Sequence, residues 1–370
     1  MSTKRSIVVV TGSRADFALL RPVMHAIKDH QDLSLHVFVV GSHLLGSKPT
    51  LKEVEACFDV EQTIEMQKPG PANRFRDAEA LGRGITQLAR AFHHSCPEVV
   101  VVLGDRIEAF AAASSAAIAG IRVAHLHGGD RAEGVADESM RHAISKLAHI
   151  HLTATKKSAQ RLQAMGEDTD RIHVIGSPAI DDLQHFPALS DDDFERIGAP
   201  ELIFLYHPTG QPDSTERARA ASILQTAMRH GRVLALEPNY DAGRDGVMQA
   251  ATDSDCRLIA HLPRHEFVGL LKRARCLIGN SSAGLIECAA LGVSCINVGQ
   301  RQSGRERSTN VIDLPEADDA MMDAALHSVK QGPTNNPEHP FGAGEAGKQA
   351  ASILASFDLI KHAVTKRNTY

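Results

Sequence analysis

Residues 98–120, "EVVVVLGDRIEAFAAASSAAIAG", show a clear strand-then-helix pattern in this chain of 370 residues. This stretch opens with an unbroken apolar run over 99–103, turns at Gly104 and continues into an alanine-rich segment that is typical of a helix. A strand without polar alternation is typical of a parallel sheet covered on both faces, and a strand followed by a helix is its repeating unit. The stretch therefore predicts an α/β protein with a doubly wound, Rossmann-like sheet.

The same alternation of apolar strands and helices extends outward on both sides. It pauses in a polar, acidic and proline-containing stretch over 184–200 and then restarts. Because 370 residues exceed one ordinary core, two domains are expected. We predict the following divisions: an N-terminal Rossmann-like domain over 1–183, a linker over 184–200, a C-terminal Rossmann-like domain over 201–344, and a C-terminal helix over 345–370 that can pack back on the N-terminal domain.

Composition excludes several classes of function. The formal net charge is −5, Trp is absent and aromatic residues make up 4%, which argues against a nucleic-acid-binding face. None of the six cysteines forms a CxxC pair, so reduced thiols and a cytoplasmic protein are expected. No stretch approaches the roughly 18 uncharged apolar residues of a membrane span, so no membrane partner is expected.

The segments that directly follow the strands are rich in Gly, Arg, His, Asp and Ser. In doubly wound sheets, ligands bind beyond the carboxyl ends of the strands, so these loops are expected to form one active site in the interdomain cleft. Neither GxGxxG nor GxxxxGK[ST] occurs at a strand-to-helix turn. This absence argues against NAD-dependent hydride transfer and against a P-loop ATPase, and no cofactor is expected.

The segment "CLIGNSSAGLIECAALG" (276–292) suggests a phosphate site. Ser281 and Ser282 stand where a helix begins, so they can both cap that helix and donate to a phosphate, and we give even weight to this interpretation and to a plain N-cap. Glu287 is either a solvated or helix-dipole acid or an acceptor for a ribose diol. Arginines that follow strands suit a diphosphate, although any one of them is more often a surface salt-bridge residue; they are Arg14, Arg106, Arg301 and Arg305.

Acids and histidines follow two strands of the first half. Asp105 ends an apolar strand, and we favour an active-site acid slightly over a helix cap. His125 and His127 form an HxH pair that occurs in metal sites, but the later histidines are badly spaced for one ion, so no metal is expected. Asp137 opens a helix, either as a favourable N-terminal acid or as a carboxylate aimed toward Asp105.

These segments together resemble the hydrolysing UDP-N-acetylglucosamine 2-epimerase family, in its bacterial sialic or legionaminic acid pathway type. Seven motifs carry the resemblance in matching order between Arg14 and Arg307: "TGSRADF", "GSHLLG", "LGDRIEA", "HLHGGDRAEGVADESMRHAISKLAHIH", "GSPAID", "EPNYDAG" and "GNSSAGLIECAALG…INVGQRQSGRER". The resemblance implies a glycosyltransferase-B-like fold of two Rossmann-like domains, with UDP held mainly by the second. It also implies metal-free chemistry and a homo-oligomer, either a dimer or a tetramer.

By the same resemblance, the reaction is the hydrolysis of a UDP-sugar with inversion at C2. UDP leaves by anti elimination, and syn addition of water to the resulting glycal gives a free N-acetylmannosamine-type sugar. Asp105 and Asp137 are similar to the family's catalytic carboxylates, and His43 resembles a sugar-side histidine. The residues that resemble nucleotide and phosphate contacts are Arg14, Arg106, His207, Asn239, Ser281, Ser282, Glu287 and Arg301.

Two departures from the family pattern affect these expectations. His127 replaces a Glu found in several members, which makes His127 the third candidate acid/base group. The loop "YHPTGQPD" (206–213) replaces His-Pro-Val-Thr but keeps His207. The substrate is either UDP-N-acetylglucosamine or a UDP-2,4-diacetamido-trideoxyhexose. Two other functions stay open: a glycosyltransferase that uses an acceptor, and an inactive nucleotide-sugar sensor.

Overall fold

The computed structural model describes residues 4–45, 50–70, 74–132, 138–239, 241–329 and 338–369. The chain divides into two compact units. Unit 1 comprises Met1–Asp130, Ala136–Asp181 and Phe341–Tyr370, and unit 2 comprises Arg131–Val135 and Asp182–Pro340. No helix in the described ranges combines the length and the apolar character needed to cross a bilayer.

Unit 1 contains a seven-stranded, fully parallel sheet. Its strands are β1 (Arg5–Thr11), β2 (Leu33–Val40), β3 (Val60–Ile64), β4 (Val99–Leu103), β5 (Arg122–Leu126), β6 (Ile150–Thr153) and β7 (Ile172–Val174). Their spatial order is β3-β2-β1-β4-β5-β6-β7, so the chain winds outward in both directions from β1. Side chains of β1 alternate between two apolar clusters, Ile7 and Val9 in one and Val8 and Val10 in the other. This alternation explains the unbroken apolar strands, since both faces are buried.

Helices cover both faces of this sheet. They are α1 (Arg14–Asp29), α2 (Leu51–Glu55), α3 (Arg74–Ser95), α4 (Ile107–Ile118), α5 (Glu138–Leu147) and α6 (Lys156–Ala164). Ser13 caps α1 by accepting a hydrogen bond from the backbone N–H of Asp16, which satisfies a free donor of the first turn. The alanine-rich α4 is buried along most of its length, as its composition predicts.

Unit 2 repeats the plan with six parallel strands in the order β10-β9-β8-β11-β12-β13. The strands are β8 (Leu202–Leu205), β9 (Val233–Leu236), β10 (Arg257–Ile259), β11 (Cys276–Gly279), β12 (Ser294–Val298) and β13 (Val311–Leu314). The helices are α7 (Asp191–Arg196), α8 (Asp213–His230), α9 (Arg244–Thr252), α10 (Arg264–Leu271), α11 (Ser282–Leu285), α12 (Glu287–Leu291) and α13 (Asp319–Ser328). The predicted pair of doubly wound α/β sheets is therefore confirmed.

Two segments differ in detail from the sequence-based expectation. The stretch 184–200, predicted as a linker, contains α7 and groups with unit 2. The last helix, α14 (Ala346–Ser356), packs against α1 of unit 1 and is capped by the Asp181 carboxylate, which accepts from two backbone N–H groups. It ends well before residue 370, because the side chain of Asp358 accepts hydrogen bonds from two backbone N–H groups and forms a turn instead.

Candidate active site

The predicted site residues lie at the carboxyl edges of the two sheets. In unit 1, Asp105 follows β4 and His127 follows β5, while in unit 2 His207 follows β8. The carboxyl ends of parallel strands meet at one edge of a sheet, so each unit gathers its own set. Asp137, the third predicted catalytic residue, lies outside the described residues.

Asp105 forms an ion pair with Arg141 of α5. A guanidinium nitrogen of Arg141, Nη2, donates to the Asp105 carboxylate. The side chain of Arg141 is 3% exposed, whereas that of Asp105 is 19% exposed, so the acid stays partly accessible while its partner is sealed. The N-cap position of α4 is Arg106, and no side-chain hydrogen bond caps it. The helix-cap interpretation of Asp105 therefore gains no support.

His127 is held at both ring nitrogens. Its Nδ1 lies 2.8 Å from Oδ2 of Asp130 and its Nε2 lies 3.1 Å from the hydroxyl of Ser177. Ser158 in turn donates to the other oxygen of Asp130. Because an ionised carboxylate only accepts, Nδ1 carries the hydrogen, and Nε2 is left to accept from Ser177.

The backbone around His127 is also unusual. His127 has a φ of 61°, in the left-handed region that residues with a side chain seldom adopt. Gly129, with a φ of 76°, passes so close to α6 that a Cβ there would lie 2.2 Å from the carbonyl oxygen of Ser158. Backbone strain of this kind costs about 1–3 kcal/mol per residue and clusters at functional sites. The loop is therefore held in place by α6 and by the hydrogen bonds of His127.

His125 does not share a ligand with His127. Its Nε2 donates to the carbonyl of Gly104, and its Nδ1 lies 3.2 Å from the hydroxyl of Ser145. The ring is fully buried, and burial lowers its pKa to about 3. Both ring nitrogens are therefore committed to the protein. Across the described ranges, no group of three or more His, Cys, Asp or Glu side chains is placed to hold a metal ion.

His43 and Arg106 complete the edge of unit 1. His43 is fully buried between the hydroxyls of Thr11 and Thr50, and burial lowers its pKa to about 4. Nε of Arg106 lies 3.5 Å from Oε2 of Glu108, a glutamate whose side chain is 1% exposed. Arg14, predicted to contact phosphate, is the first residue of α1. The arginines thus stand at helix starts on this edge, whereas the His43 ring is enclosed.

In unit 2, Asn280 connects the loops after three strands. Its side-chain amide bonds both the N–H and the carbonyl of His207, at 2.7 and 2.8 Å. Nδ1 of His207 accepts from the backbone N–H of Asn239. Nη1 of Arg301 and the side-chain amide of Gln302 both donate to the backbone carbonyl of Asn280. The structure therefore brings together three predicted residues, His207, Asn239 and Arg301, around an asparagine that was not predicted.

The position of Asn280 depends on Gly279. This glycine ends β11 with a φ of 143°, and a Cβ there would lie 2.1 Å from the carbonyl oxygen of Leu205. Ser281 is the N-cap of α11 and accepts from the backbone N–H of Ala283, whereas Ser282 is the first residue of that four-residue helix. The N-cap interpretation of Ser281 is thus realised, and its hydroxyl remains at the carboxyl edge of β11.

Glu287 is the first residue of α12 and is 7% exposed. One of its carboxylate oxygens lies 3.5 Å from Nη1 of Arg264, which begins α10. Its burial does not fit the solvated interpretation of Glu287, whereas its place in the first turn of α12 fits the helix-dipole interpretation.

Two residues central to these sets were missed in the sequence, Arg141 and Asn280. Arg141 occupies a core-facing position of α5 together with Ile144, where an apolar residue is the norm. A charged residue at such a position was the available signal. Asn280 directly follows a strand-ending glycine, which places its amide at the carboxyl edge and was the available signal.

Comparisons with known proteins agree with this architecture. A family model described as UDP-N-acetylglucosamine 2-epimerase matches residues 25–355. A UDP-N,N'-diacetylbacillosamine 2-epimerase (hydrolyzing) of Legionella pneumophila is 35% identical over 99% of this chain and 100% of its own length. A UDP-N-acetylglucosamine 2-epimerase of Neisseria meningitidis serogroup B is 33% identical over 89% of this chain and 88% of its own length.

The fold is shared with a solved structure. UDP-GlcNAc 2-epimerase of Methanocaldococcus jannaschii, in complex with UDP-GlcNAc and UDP, superposes with a TM-score of 0.81 over 94% of this chain and 99% of its own. Sequence identity is 17%, so this likeness concerns the fold. It confirms the predicted glycosyltransferase-B-like class.

Proposed function

The chain belongs to the UDP-N-acetylglucosamine 2-epimerase family, and from this premise we propose that it is a hydrolysing UDP-sugar 2-epimerase. The substrate is UDP-N-acetylglucosamine or a UDP-2,4-diacetamido-trideoxyhexose, and the products are UDP and a free sugar inverted at C2. The observation that supports hydrolysis most strongly is the 35% identity, over essentially the whole chain, with a relative named as hydrolyzing.

The proposed reaction has two steps and needs no redox cofactor. In the first step the C2–H bond breaks and its electron pair forms the C1=C2 double bond. The C1–O bond breaks at the same time, and its electron pair leaves with UDP. In the second step water adds across the double bond, its oxygen to C1 and a proton to C2, on the face that inverts C2. Both steps need acid/base groups within hydrogen-bond reach of the sugar.

Unit 1 supplies the proposed acid/base groups. Asp105 offers a partly exposed carboxylate, and His127 offers an imidazole whose tautomer is fixed by Asp130. Asp137 completes the set as a proposal from sequence. An imidazole can both accept and donate a proton, so His127 is proposed to serve in both steps. His43, which is buried between two threonines, is proposed to support the sugar side of this edge.

Unit 2 supplies the proposed nucleotide contacts. Buried Glu287 is the acceptor proposed for the ribose diol, and Ser281 and Ser282 are the proposed donors to phosphate. Arg301 adds positive charge where the leaving diphosphate gains negative charge, and Arg14 and Arg106 of unit 1 are proposed for the same charge. Guanidinium groups suit this task because their fork matches phosphate oxygens. His207 and Asn239, joined by a hydrogen bond, are proposed to line the nucleotide.

The released sugar is proposed to feed nonulosonate biosynthesis, of the sialic or legionaminic acid type. A relative that shares 35% identity is named for UDP-N,N'-diacetylbacillosamine and one that shares 33% for UDP-N-acetylglucosamine, which supports testing both sugars. The cytoplasmic location and the homo-oligomeric state stay predictions.

The function is tested by incubating the protein with each UDP-sugar in the absence of any acceptor. We expect the products to be UDP and a free mannosamine-type sugar, and NMR measures their formation. One of the two UDP-sugars should be clearly preferred. Release of UDP only after an acceptor is added, with the sugar joined to that acceptor, would indicate a glycosyltransferase. Binding of UDP-sugar without turnover would indicate a nucleotide-sugar sensor.

Glu287→Ala is expected to weaken UDP binding by about 1.5–3 kcal/mol, roughly 10- to 150-fold, because a charged acceptor of a hydrogen bond is lost. Isothermal titration calorimetry with UDP measures this change. Glu266→Ala is the matched control, since Glu266 belongs to the same unit and pairs with Arg196 at 3.6 Å. Unchanged UDP affinity in a folded Glu287→Ala protein would remove Glu287 from the nucleotide site.

A further inference from the structure

Arg141 is a buried cation on the face of α5 that packs into unit 1. The buried residues of this helix are Arg141, Ile144 and Ser145, so the guanidinium lies on an otherwise ordinary core face. Its side chain is 3% exposed. Removing a cation from water costs several kcal/mol unless it is paired and hydrogen-bonded. Because burying this cation costs free energy, we expect Arg141 to have a role beyond packing.

The contacts of Arg141 converge on the proposed acid/base groups. Nη2 donates to Asp105, and Nη1 lies 3.5 Å from the carbonyl oxygen of His127. On its own helix, Nε lies 3.8 Å from Oε2 of Glu138, whose Oε1 lies 3.4 Å from Nε2 of His142. Two acidic side chains, those of Asp105 and Glu138, therefore face this guanidinium.

We propose that Arg141 is a positioning residue that keeps the Asp105 carboxylate ionised and aimed at the sugar, so that Asp105 accepts the C2 proton in the elimination step. This inference rests on the proposed function. In that step the C2–H pair becomes the C1=C2 bond, the C1–O pair leaves with UDP, and the proton moves to an oxygen of Asp105. Because hydration inverts C2, the new C2 proton reaches the opposite face of the sugar from another group, and Asp105 releases the proton it accepted to solvent.

The guanidinium suits this role better than an ammonium would. Its planar fork places separate N–H groups on Asp105 and on the backbone of His127, which fixes the carboxylate relative to the loop after β5. Its charge favours the ionised carboxylate, since a cation within about 4–6 Å stabilises the charged form. The effects of charge and of geometry can be separated, because a lysine at this position retains the positive charge but lacks the planar fork of the guanidinium.

The test compares Arg141→Lys and Arg141→Met with the parent protein on the preferred UDP-sugar. For Arg141→Met we expect kcat to fall about 10²-fold, the cost of a misplaced catalytic group, with little change in KM. We also expect the acid limb of the kcat–pH profile to move up by about 1–3 units, because the carboxylate loses its cation. Added guanidinium ion should restore part of the rate in the Met variant.

Arg141→Lys should lose rate through its poorer geometry but keep the acid limb near its original pH, because the charge is retained. Arg171→Met is the matched control. Arg171 is a buried arginine of the same unit, lies at the amino end of β7 and donates to the carbonyl of Ala363. We expect its kinetic constants and pH profile to match those of the parent.

The inference is overturned if folded Arg141→Met keeps the parental acid limb and does not respond to guanidinium. If that variant fails to fold, an Arg141→Lys protein with parental kcat, or with a shifted acid limb, overturns it instead. A parent protein that releases no UDP from either sugar contradicts the proposed function, which is a different failure from an active parent with unaffected variants.

Discussion

Asp105→Asn should lower kcat by about 10²–10⁴-fold, the usual cost of removing a general acid/base group. The amide is nearly isosteric with the carboxylate but cannot accept the proton. The affinity for UDP should stay within a few fold of the parental value, since Asp105 is not among the proposed nucleotide contacts. Steady-state kinetics and UDP titration measure the two quantities separately.

The same substitution should also reduce stability, because Arg141 is buried and loses its counter-ion. Breaking a buried pair costs about 3–5 kcal/mol, and the partial exposure of Asp105 places the expected loss below that range. Asp170→Asn is the matched control, since Asp170 is an exposed acid of the same unit that pairs with Lys361 at 2.9 Å. Parental kcat in a folded Asp105→Asn protein would remove Asp105 from the chemistry.

His127→Asn should lower kcat by about 10²–10⁴-fold as well, with a much smaller change in KM. Asparagine is a suitable replacement because it tolerates the left-handed backbone that residue 127 adopts, with its φ of 61°. The substitution therefore removes the imidazole without adding backbone strain. His127→Glu, which restores the residue of several family members, should retain partial activity with a shifted pH optimum.

A variant of a hydrogen-bond partner of His127 provides a comparison for this test. Its Nε2 faces the hydroxyl of Ser177, which is fully buried, so Ser177→Ala removes a hydrogen bond without touching the imidazole. We expect Ser177→Ala to retain far more activity than His127→Asn. If His127→Asn turns over at the parental rate, the imidazole only shapes the sugar pocket, and the acid/base role falls on Asp105 and Asp137.

The central strands of both sheets could be predicted from the sequence, whereas two edge strands could not. β4 lies between β1 and β5 and is buried on both faces, so its apolar run is unmistakable. β3 and β13 lie at sheet edges, and polar residues interrupt both, as in "VEQTI" and "VIDL". An edge strand is partly solvated, and its pattern resembles that of a loop.

In the candidate site, the positions of residues along the strands could be predicted from the sequence, whereas their side-chain contacts could not. The strand-end rule correctly placed Asp105, His127 and His207 at carboxyl edges, because that position follows from topology alone. It did not predict that Arg141 pairs with Asp105 or that Asn280 joins three loops. Those contacts depend on which side chain of a helix or turn reaches across the edge of the sheet. A single sequence gives no distances between residues that lie far apart along the chain, so these contacts could not be predicted.

The most direct test of the central proposal is the fate of the hydrogen at C2 when the preferred UDP-sugar is turned over in D₂O. Elimination breaks the C2–H bond and hydration rebuilds it from solvent. We therefore expect one deuterium at C2 of the released sugar, which should have the inverted, mannosamine-type configuration by NMR. A released sugar that keeps its original hydrogen and configuration at C2 would show direct hydrolysis of the UDP-sugar and contradict the account.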